Sequence, residues 1–559
     1  MSEPVIGIDL GTSNSVVAVV EGDRAVVIPD KEGRRIHPSV VSFVAADRII
    51  VGAEAKKLMT LDPQNTVSSV KRLIGRNFFA KEVKVAQETF PFGIVQGADN
   101  TPHIAVRTGT YAIPEICSHI LRHLKGIAED YLGRSLTKAV ITVPANFTDT
   151  QRKATQLAGE LSGLEVSRII NEPTAAALAY GFGRDLDTRL AVYDFGGGTF
   201  DITVLDVEGS IFHVLSTAGD SYLGGDDFDN RLVNYMVMAF RQRHDFDLTN
   251  DIKALQRLKA IAEKVKCELS HRPKVAVQVQ ELVNGPEGPI DLSFSITRDG
   301  FNQKCQDIVQ RTFAVCDEAL RAGGISADQV AEVILVGGST KVPIVREMVE
   351  RYFSTRPVVE INPDEVVAVG AAIQGAALRA DLVDADEAFQ ALQEDMHHLE
   401  KLGPQTQEFP RPQLGRVPEI QRTLLMDVTH HALGVATLGG FYDVVIERNT
   451  ILPTERTRLF TTTVDGQETV RVQVFQGEAD TVEANEKLGE LELFGLRKAP
   501  RGEVVIEVVF EVNIDGILNV TARDRETGAR QSIRLRLEGG TSPEEQHRML
   551  GQQPRTGTR

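Results

Sequence analysis

The chain of 559 residues has no apolar run reaching the roughly 18 residues that a membrane-spanning helix needs. Its start, MSEPVIGIDL, lacks a basic region leading into an apolar core. A cytosolic chain with no membrane partner is therefore expected. Positive charge is in short supply: 61 Lys and Arg stand against 78 Asp and Glu, a net charge of −17. That balance argues against the basic face of a general nucleic-acid binder and against attraction to anionic lipid. Cysteine is scarce as well. Cys117, Cys267, Cys305 and Cys316 form no CxxC pair and no zinc-like spacing, so they read as buried or free thiols, and no cysteine metal site is expected. The length and a hydrophobic content of 42% allow several domains with real cores.

What the chain does have is glycine in unusual company. In AVYDFGGGTFDITVLDV (191–207), Gly196, Gly197 and Gly198 interrupt a strand-like run, with Asp194 before them and Thr199 and Asp201 after. Glycine inside a strand weakens the ladder and marks a tight bend or a close backbone approach. Backbone N–H groups in such a turn form an anion-binding nest, and a hydroxyl with two carboxylates beside it suits phosphate oxygens and hydrated Mg²⁺. Alone, the pattern also fits an ordinary hairpin. The first strand repeats it: VIGIDLGTSNSVVAVV (5–20) runs apolar, Asp9, apolar, Gly11, hydroxyl, polar, apolar. Two phosphate hairpins imply two related halves with a nucleotide between two lobes.

From residue 5 to 378, the strand-like runs KAVITVPANF (138–147), TRLAVYDF (188–195) and AEVILVGG (331–338) alternate with helical patterns, which predicts α/β layers. QRLKAIAEKVKCELS (256–270) spaces Leu258, Ile261, Ala262, Val265 and Leu269 along one helical face and leaves Glu263 and Lys266 on another. Beyond 423 the period changes to two. Val470, Val472 and Val474 of TVRVQVFQ (469–476) point inward, and VVFEVNIDGILNVTARD (508–524) carries an Asp515-Gly516 hairpin turn, so an antiparallel β domain is expected. Between these regions, Leu382, Ala385, Phe389, Leu392, Met396 and Leu399 predict one short amphipathic helix ended by Gly403-Pro404. PQTQEFPRPQLGRVPEIQR (404–422) reads as an extended linker. Thr541 or Ser542 can cap a last helix starting at Pro543.

INEPTAAALAYG (170–181) places Glu172 and Pro173 where a strand meets a small-residue helix. VGGSTKVP (336–343) puts a second glycine pair at a strand end, suited to a sugar or an α-phosphate. GIDLGTSNS, VKRLIGR, VPANFTDTQR, NEPTAAALAYG, DFGGGTFD, GDSYLGGDDFD, RLKAIAEKVKCELS and VGGSTKVP follow one another along the chain. With them, the sequence resembles the seventy-kilodalton heat-shock chaperone family of DnaK type over residues 5–380 and 423–540. The resemblance implies an actin-like, two-lobed α/β ATPase domain (1–380) and an antiparallel β-sandwich that binds peptides (429–540), joined by an interdomain linker (423–428). Residues 381–422 are then an inserted helix and proline-rich spacer, and 541–559 a truncated lid remnant and tail.

The resemblance also implies ATP or ADP, Mg²⁺ and K⁺ as cofactors. Asp9, Asp194 and Asp201 match the family's carboxylates around the hydrated metal, mostly through water, and Thr12, Ser13 and Thr199 match its phosphate-contacting hydroxyls. Lys71 and Glu172 match the pair that positions the attacking water, as in-line phosphoryl transfer requires. Glu263, Lys266 and Ser270 match the adenosine contacts, alongside Gly337, Gly338 and Lys341, while Gly11, Asn14, Gly224, Gly225, Ser339 and Asp364 complete the nucleotide set. Without the resemblance, Lys71 reads as a surface lysine, Glu172 as a helix-start carboxylate and Glu263 with Lys266 as a solvated pair. The order and completeness of the motifs argue otherwise. Pro144 and Arg152 sit where the family has its proline switch and relay arginine. TLLMDVT (423–429) resembles its apolar linker, so Leu424, Leu425, Met426 and Asp427 are expected to dock on the ATPase domain; a plain first β-strand is the other reading. Val435, Thr437, Leu438, Phe460, Val470 and Val472 match the peptide groove, although each alone would be ordinary core.

Departures from the pattern matter too. Lys341 replaces an arginine that the family stacks on the adenine face, and lysine cannot form that planar stack, so faster ADP release is expected. Thr463 stands at a small apolar arch position, His430-His431 replaces a proline-leucine step, and no lid is expected beyond its first turn; weak, short-lived peptide binding follows. The extra segment 381–422 reads as a solvated spacer or as a docking element, and either loosens the expected coupling. The leading expectation is an ATP-driven chaperone for unfolded or extended peptide segments that answers to a J-domain cochaperone and a nucleotide exchange factor. The alternatives are a dedicated ATP-binding scaffold that recognises one partner through 381–422 and the lidless sandwich, and a sugar or metabolite kinase, which the β domain disfavours.

Overall fold

Two sheets share one design. The structure, a computed structural model, describes residues 3–551 apart from 23, 183, 185, 210, 250, 286–287, 359–361, 381–423, 438, 526–529 and 532–542. In the first sheet, Val5–Asp9 pairs antiparallel with Asn14–Glu21 and parallel with Lys138–Val143, which pairs in turn with Glu165–Asn171. In the second, Leu186–Phe195 pairs antiparallel with Phe200–Gly209 and parallel with Glu332–Val336, and Ile211–Asp220 extends the antiparallel side. The two related halves expected from the paired hairpins are present. Strands covered on both faces read as unbroken apolar runs, which is why Val140, Ile141, Val192, Val333 and Ile334 are almost wholly buried. No helix among the described residues is long and apolar enough to cross a membrane.

Helix Glu172–Gly181 packs on the second sheet, helix Val366–Ala380 on the first, and the two cross each other. Their seam is made of small residues. A Cβ on Gly370 would stand 1.7 Å from the Ala175 carbonyl oxygen, and one on Gly7 would stand 2.1 Å from the Ala372 nitrogen. Backbone cannot step aside as a side chain can, so Gly370→Ala is expected to cost about 3 kcal/mol through forced separation of the helices. Gly126, inside helix Ile113–Leu132, meets nothing within 4 Å. Gly126→Ala is therefore expected to stabilise by about 0.8 kcal/mol through helix propensity alone. Urea midpoints at unchanged slope check both; equal midpoints for the two variants would refute the packing argument.

The β domain consists of two four-stranded sheets. One orders Tyr442–Ile446, Leu433–Ala436, Thr469–Gln476 and Glu486–Phe494; the other orders Thr454–Thr461, Val505–Val512, Leu518–Asp524 and Arg530–Gln531. Val435, Val474 and Leu491 from the first share a core with Ile506, Val508, Phe510 and Val520 from the second. The period-two strand occupies 469–476 as its alternation predicts, with Val472 and Val474 buried and Val470 half-buried. Gly516 has a φ of +73°, the conformation its turn demands. Helix Pro543–Gly551 forms where capping predicts it, and Met549 packs beside Ala112, Leu157 and Leu161 of the first lobe. The predicted helix and spacer at 381–422 lie outside the described residues.

Candidate functional site

Between the lobes lies a cleft of about 350 Å³, within the usual size range of small-molecule sites. The first hairpin lines it with Asp9, Gly11, Thr12, Ser13 and Asn14, the second with Asp194, Gly196, Gly197 and Thr199. Lys71, Glu172, Gly225, Glu263, Lys266, Gly337, Gly338, Ser339, Lys341 and Asp364 complete the wall, whereas Gly198, Asp201, Gly224 and Ser270 do not line it. The glycines are there for closeness. None of Gly196, Gly197 and Gly198 has a positive φ, but a Cβ on Gly197 would lie 2.1 Å from Ser13 Oγ and one on Gly198 would lie 2.6 Å from Arg72 Nε. A Cβ on Gly224 would strike the Gly197 backbone at 2.5 Å. At Gly337 both reasons hold, since φ is +82° and a Cβ would meet the Phe195 carbonyl oxygen at 2.4 Å. The N–H groups of Gly225 and Asp226 donate to the carbonyls of Gly196 and Gly197, each at 2.9 Å, which ties helix Gly225–His244 to the turn.

The floor of the cleft is crowded with carboxyls. Lys71 Nζ donates to Glu172 Oε1 at 2.6 Å, and both residues are buried. Thr142 Oγ1 donates to Asp9 Oδ1, and the Asn146 N–H to Asp201 Oδ1, both at 3.2 Å. Burial, then Glu172, pushes Asp9 up to about 7 and Asp201 up to about 8. Asp194 is raised well above the carboxylate range by burial, then by Glu172, Asp201 and Asp9. Lys71 opposes the shift in all three, yet one ammonium cannot neutralise such a cluster. Asp201 Oδ2 is also buried without a hydrogen-bond partner. Hard oxygen donors with surplus negative charge fit Mg²⁺. Among the described residues no group of three or more His, Cys, Asp or Glu is placed to hold a metal ion directly.

The outer part of the cleft is more committed than the sequence suggests. Lys56 Nζ donates to Glu263 Oε1 at 2.8 Å and so ties the first lobe to the second across the mouth. Lys266 Nζ donates to Asp229 Oδ2 at 2.8 Å and to the Gly225 carbonyl at 3.1 Å. The Ser270 hydroxyl donates to the Lys266 carbonyl at 3.3 Å rather than into the cleft. Ser339 Oγ donates to the Gly196 carbonyl at 2.7 Å and links the two glycine loops, while the Lys341 ammonium pairs with Asp364. Sequence reasoning missed Lys56, Thr142 and Asn146, and also Ser39, whose Oγ donates to the Gly11 carbonyl at 2.7 Å. It missed Arg72 as well, which faces Asp226 at 3.3 Å and lies over the Tyr222 ring. Each acts across a fold-level contact that no local motif announces.

The linker joins the cleft to the β domain. Leu424–Met426 pairs in parallel with Ile211–His213 as the fifth strand of the second sheet, so the segment is a strand, but one of the second lobe's sheet. Asp427 Oδ2 accepts from Asn171 Nδ2 at 2.6 Å, and Asn171 Oδ1 accepts from Arg152 Nη2 at 2.7 Å. Arg152 Nη2 also reaches the carbonyl of Ala145, next to the buried Pro144, and its Nη1 reaches the Asp515 carbonyl at 3.4 Å. Asp149 Oδ1 accepts the Leu518 N–H at 2.8 Å, and Arg448 reaches the Thr217 carbonyl at 2.6 Å. The two domains are docked through a dense set of bonds. Of the groove residues, Val435 and Val472 are core, and Phe460 and Val470 are half-buried against it. Thr437 is exposed with its hydroxyl on the Phe441 carbonyl, and Leu438 lies outside the described residues.

The model of the family described as Hsp70 protein matches residues 5–399 and 415–557. It spans both the cleft and the β domain and is interrupted only inside the extra segment before the linker. The chain therefore belongs to the Hsp70 family, whose members are ATPases that bind nucleotide with Mg²⁺ and take client peptides.

Proposed function

We propose that this chain is an ATP-driven chaperone, with slow hydrolysis in the cleft coupled to the holding of extended apolar segments by the β domain, read as a sandwich. The observation that supports this most is the linker strand. Leu424–Met426 extends the sheet whose hairpin bears Asp194 and Asp201, and Asp427 is bonded to Asn171, the neighbour of Glu172. A change at the phosphates thus has a hydrogen-bonded route to the β domain.

In this reading Asp9, Asp194 and Asp201 hold hydrated Mg²⁺, which neutralises charge developing on the transferred phosphoryl group; K⁺ is proposed beside it. Thr12, Ser13, Thr199 and the glycine turns bind phosphate. Glu172 holds Lys71 so that the pair orients the attacking water. The Lys56–Glu263 pair must open for nucleotide to leave. A J-domain cochaperone, an exchange factor and a cytosolic setting belong to the same proposal.

Lys341 sits at the mouth, paired with Asp364. Lys341→Arg is expected to slow ADP dissociation about fivefold by adding a planar cation over the base. Stopped-flow release of a fluorescent ADP analogue checks it, and an unchanged off-rate counts against the stacking role. The function itself is tested by single-turnover ATP hydrolysis with Mg²⁺ and K⁺, with and without a short apolar peptide, on the full chain and on a variant lacking 381–422. Peptide stimulation of the full chain supports the proposal. Hydrolysis indifferent to peptide in both chains would favour a scaffold instead.

A further inference from the structure

At the docked linker, one ring has its protonation state dictated by its neighbours. Asn171 Oδ1 accepts from Arg152 Nη2, and because a guanidinium can only donate, the orientation of that amide is fixed. Its Nδ2 hydrogens then go to Asp427 Oδ2 at 2.6 Å and to His430 Nε2 at 2.8 Å. His430 Nε2 must therefore be the bare, accepting nitrogen, and the single ring proton lies on Nδ1, which is buried with no hydrogen-bond partner. A second proton, on Nε2, would point at an N–H donor.

The surroundings give that proton no compensation. Burial is the largest reason the ring is held well below the ordinary histidine range, and Arg152 from helix Asp149–Leu161, His431 from the same segment and Arg448 from the loop after strand Tyr442–Ile446 all add to it. Asp427 shares the Asn171 amide with the ring but also faces Arg152 and Arg168. Asp515, from the turn after strand Val505–Val512, faces Arg168 and Arg152, and its Oδ1 accepts from the Ile169 N–H.

We infer that His430 makes docking of the two domains proton-linked: the docked chain keeps the ring neutral, the undocked chain lets it charge, and mild acid releases the linker and the β domain together. The signs separate this ring from its neighbours. A histidine disfavoured as a cation in the docked state supports docking above about pH 6.5 and withdraws that support as pH falls below it. Asp427 and Asp515 are both raised by burial, so they take up protons on docking and tighten it in acid. His431, lowered to about 4 and set against Arg448, has the sign of His430 and needs its own control.

The inference deepens the coupling half of the proposed function and rests on the docked geometry. Amide exchange of residues 424–426 and 211–213 in the full chain, corrected for intrinsic pH dependence, reads docking directly, with and without Mg·ATP. Between about pH 7.5 and 5.5 the docking constant is expected to fall about tenfold through His430. His430→Gln keeps an acceptor for Asn171 but cannot charge, so in a chain that also carries His431→Gln protection should stay level or rise in acid, while His431→Gln alone keeps the His430 step. Identical pH profiles for the parent and His430→Gln overturn the inference and leave the chaperone reading intact. Absence of protection at 424–426 in every condition overturns both. Should His430→Gln fail to fold, C2-hydrogen exchange of the parent's own His430 decides: titration near 6.5 while 424–426 stays protected is fatal to the inference, and titration only as protection is lost supports it.

Discussion

Single-turnover ATP hydrolysis by a Lys71→Ala chain is expected to run about a thousandfold slower than by the parent, a loss of about 4 kcal/mol of transition-state stabilisation. Lys71 is 4% exposed, and it opposes the raised pKa of Asp9, Asp194 and Asp201 alike. Its ammonium is fixed by Glu172 at 2.6 Å, so no rearrangement is needed when charge develops. In the proposed mechanism removal acts twice, because the donor assigned to orienting water is lost and the carboxyls are left to repel the phosphates. Glu172→Gln keeps the shape and a weaker acceptor, and about a hundredfold loss is expected for it. Quench-flow rates with saturating Mg·ATP decide the matter. If Lys71→Ala hydrolyses within tenfold of the parent, Lys71 is only a structural partner of Glu172.

Legibility in the sequence followed distance along the chain. The hairpins at 5–20 and 191–207, the α/β alternation and the period-two strand at 469–476 were readable because glycine placement and side-chain period are local properties. The helix over 256–270 was readable too, and it runs from Ile252 to His271 with Glu263 and Lys266 off its apolar face. What stayed hidden depends on which distant surfaces meet. Lys56 finds Glu263 from 207 residues away, and Lys266 gives its charge to Asp229 because helix Gly225–His244 packs beside it. Glycine spacing pointed rightly to close approach at 196–198 but could not say that Ser13 and Arg72 are the atoms approaching. The groove residues illustrate the remaining ambiguity, since an inward-facing valine such as Val435 or Val472 has the same period whether it lines a pocket or fills a core.

Asp427→Ala is expected to weaken docking of the β domain more than a hundredfold, because it strips the carboxylate from two buried guanidiniums. Asp427 is 7% exposed, accepts from Asn171 Nδ2 and the Val428 N–H, and faces Arg152 and Arg168. A buried cation left without its partner costs about 3–5 kcal/mol, but undocking lets both arginines reach water, so the penalty appears as separation of the domains rather than as unfolding. Asp427→Asn keeps an acceptor for Asn171 and loses only the charge, which burial already disfavours in the docked state, so docking is expected to change by less than about threefold. Exchange protection of 424–426 against Ile211–His213 measures both variants. Arg152→Ala adds the decisive comparison, for it removes bonds to Asn171, Ala145 and Asp515 together. If the two alanine variants combined lose no more than the worse of them alone, Asp427 and Arg152 act as one latch; strictly additive losses would mean that the strand pairing at 424–426 holds the domains together and the buried charges merely accompany it.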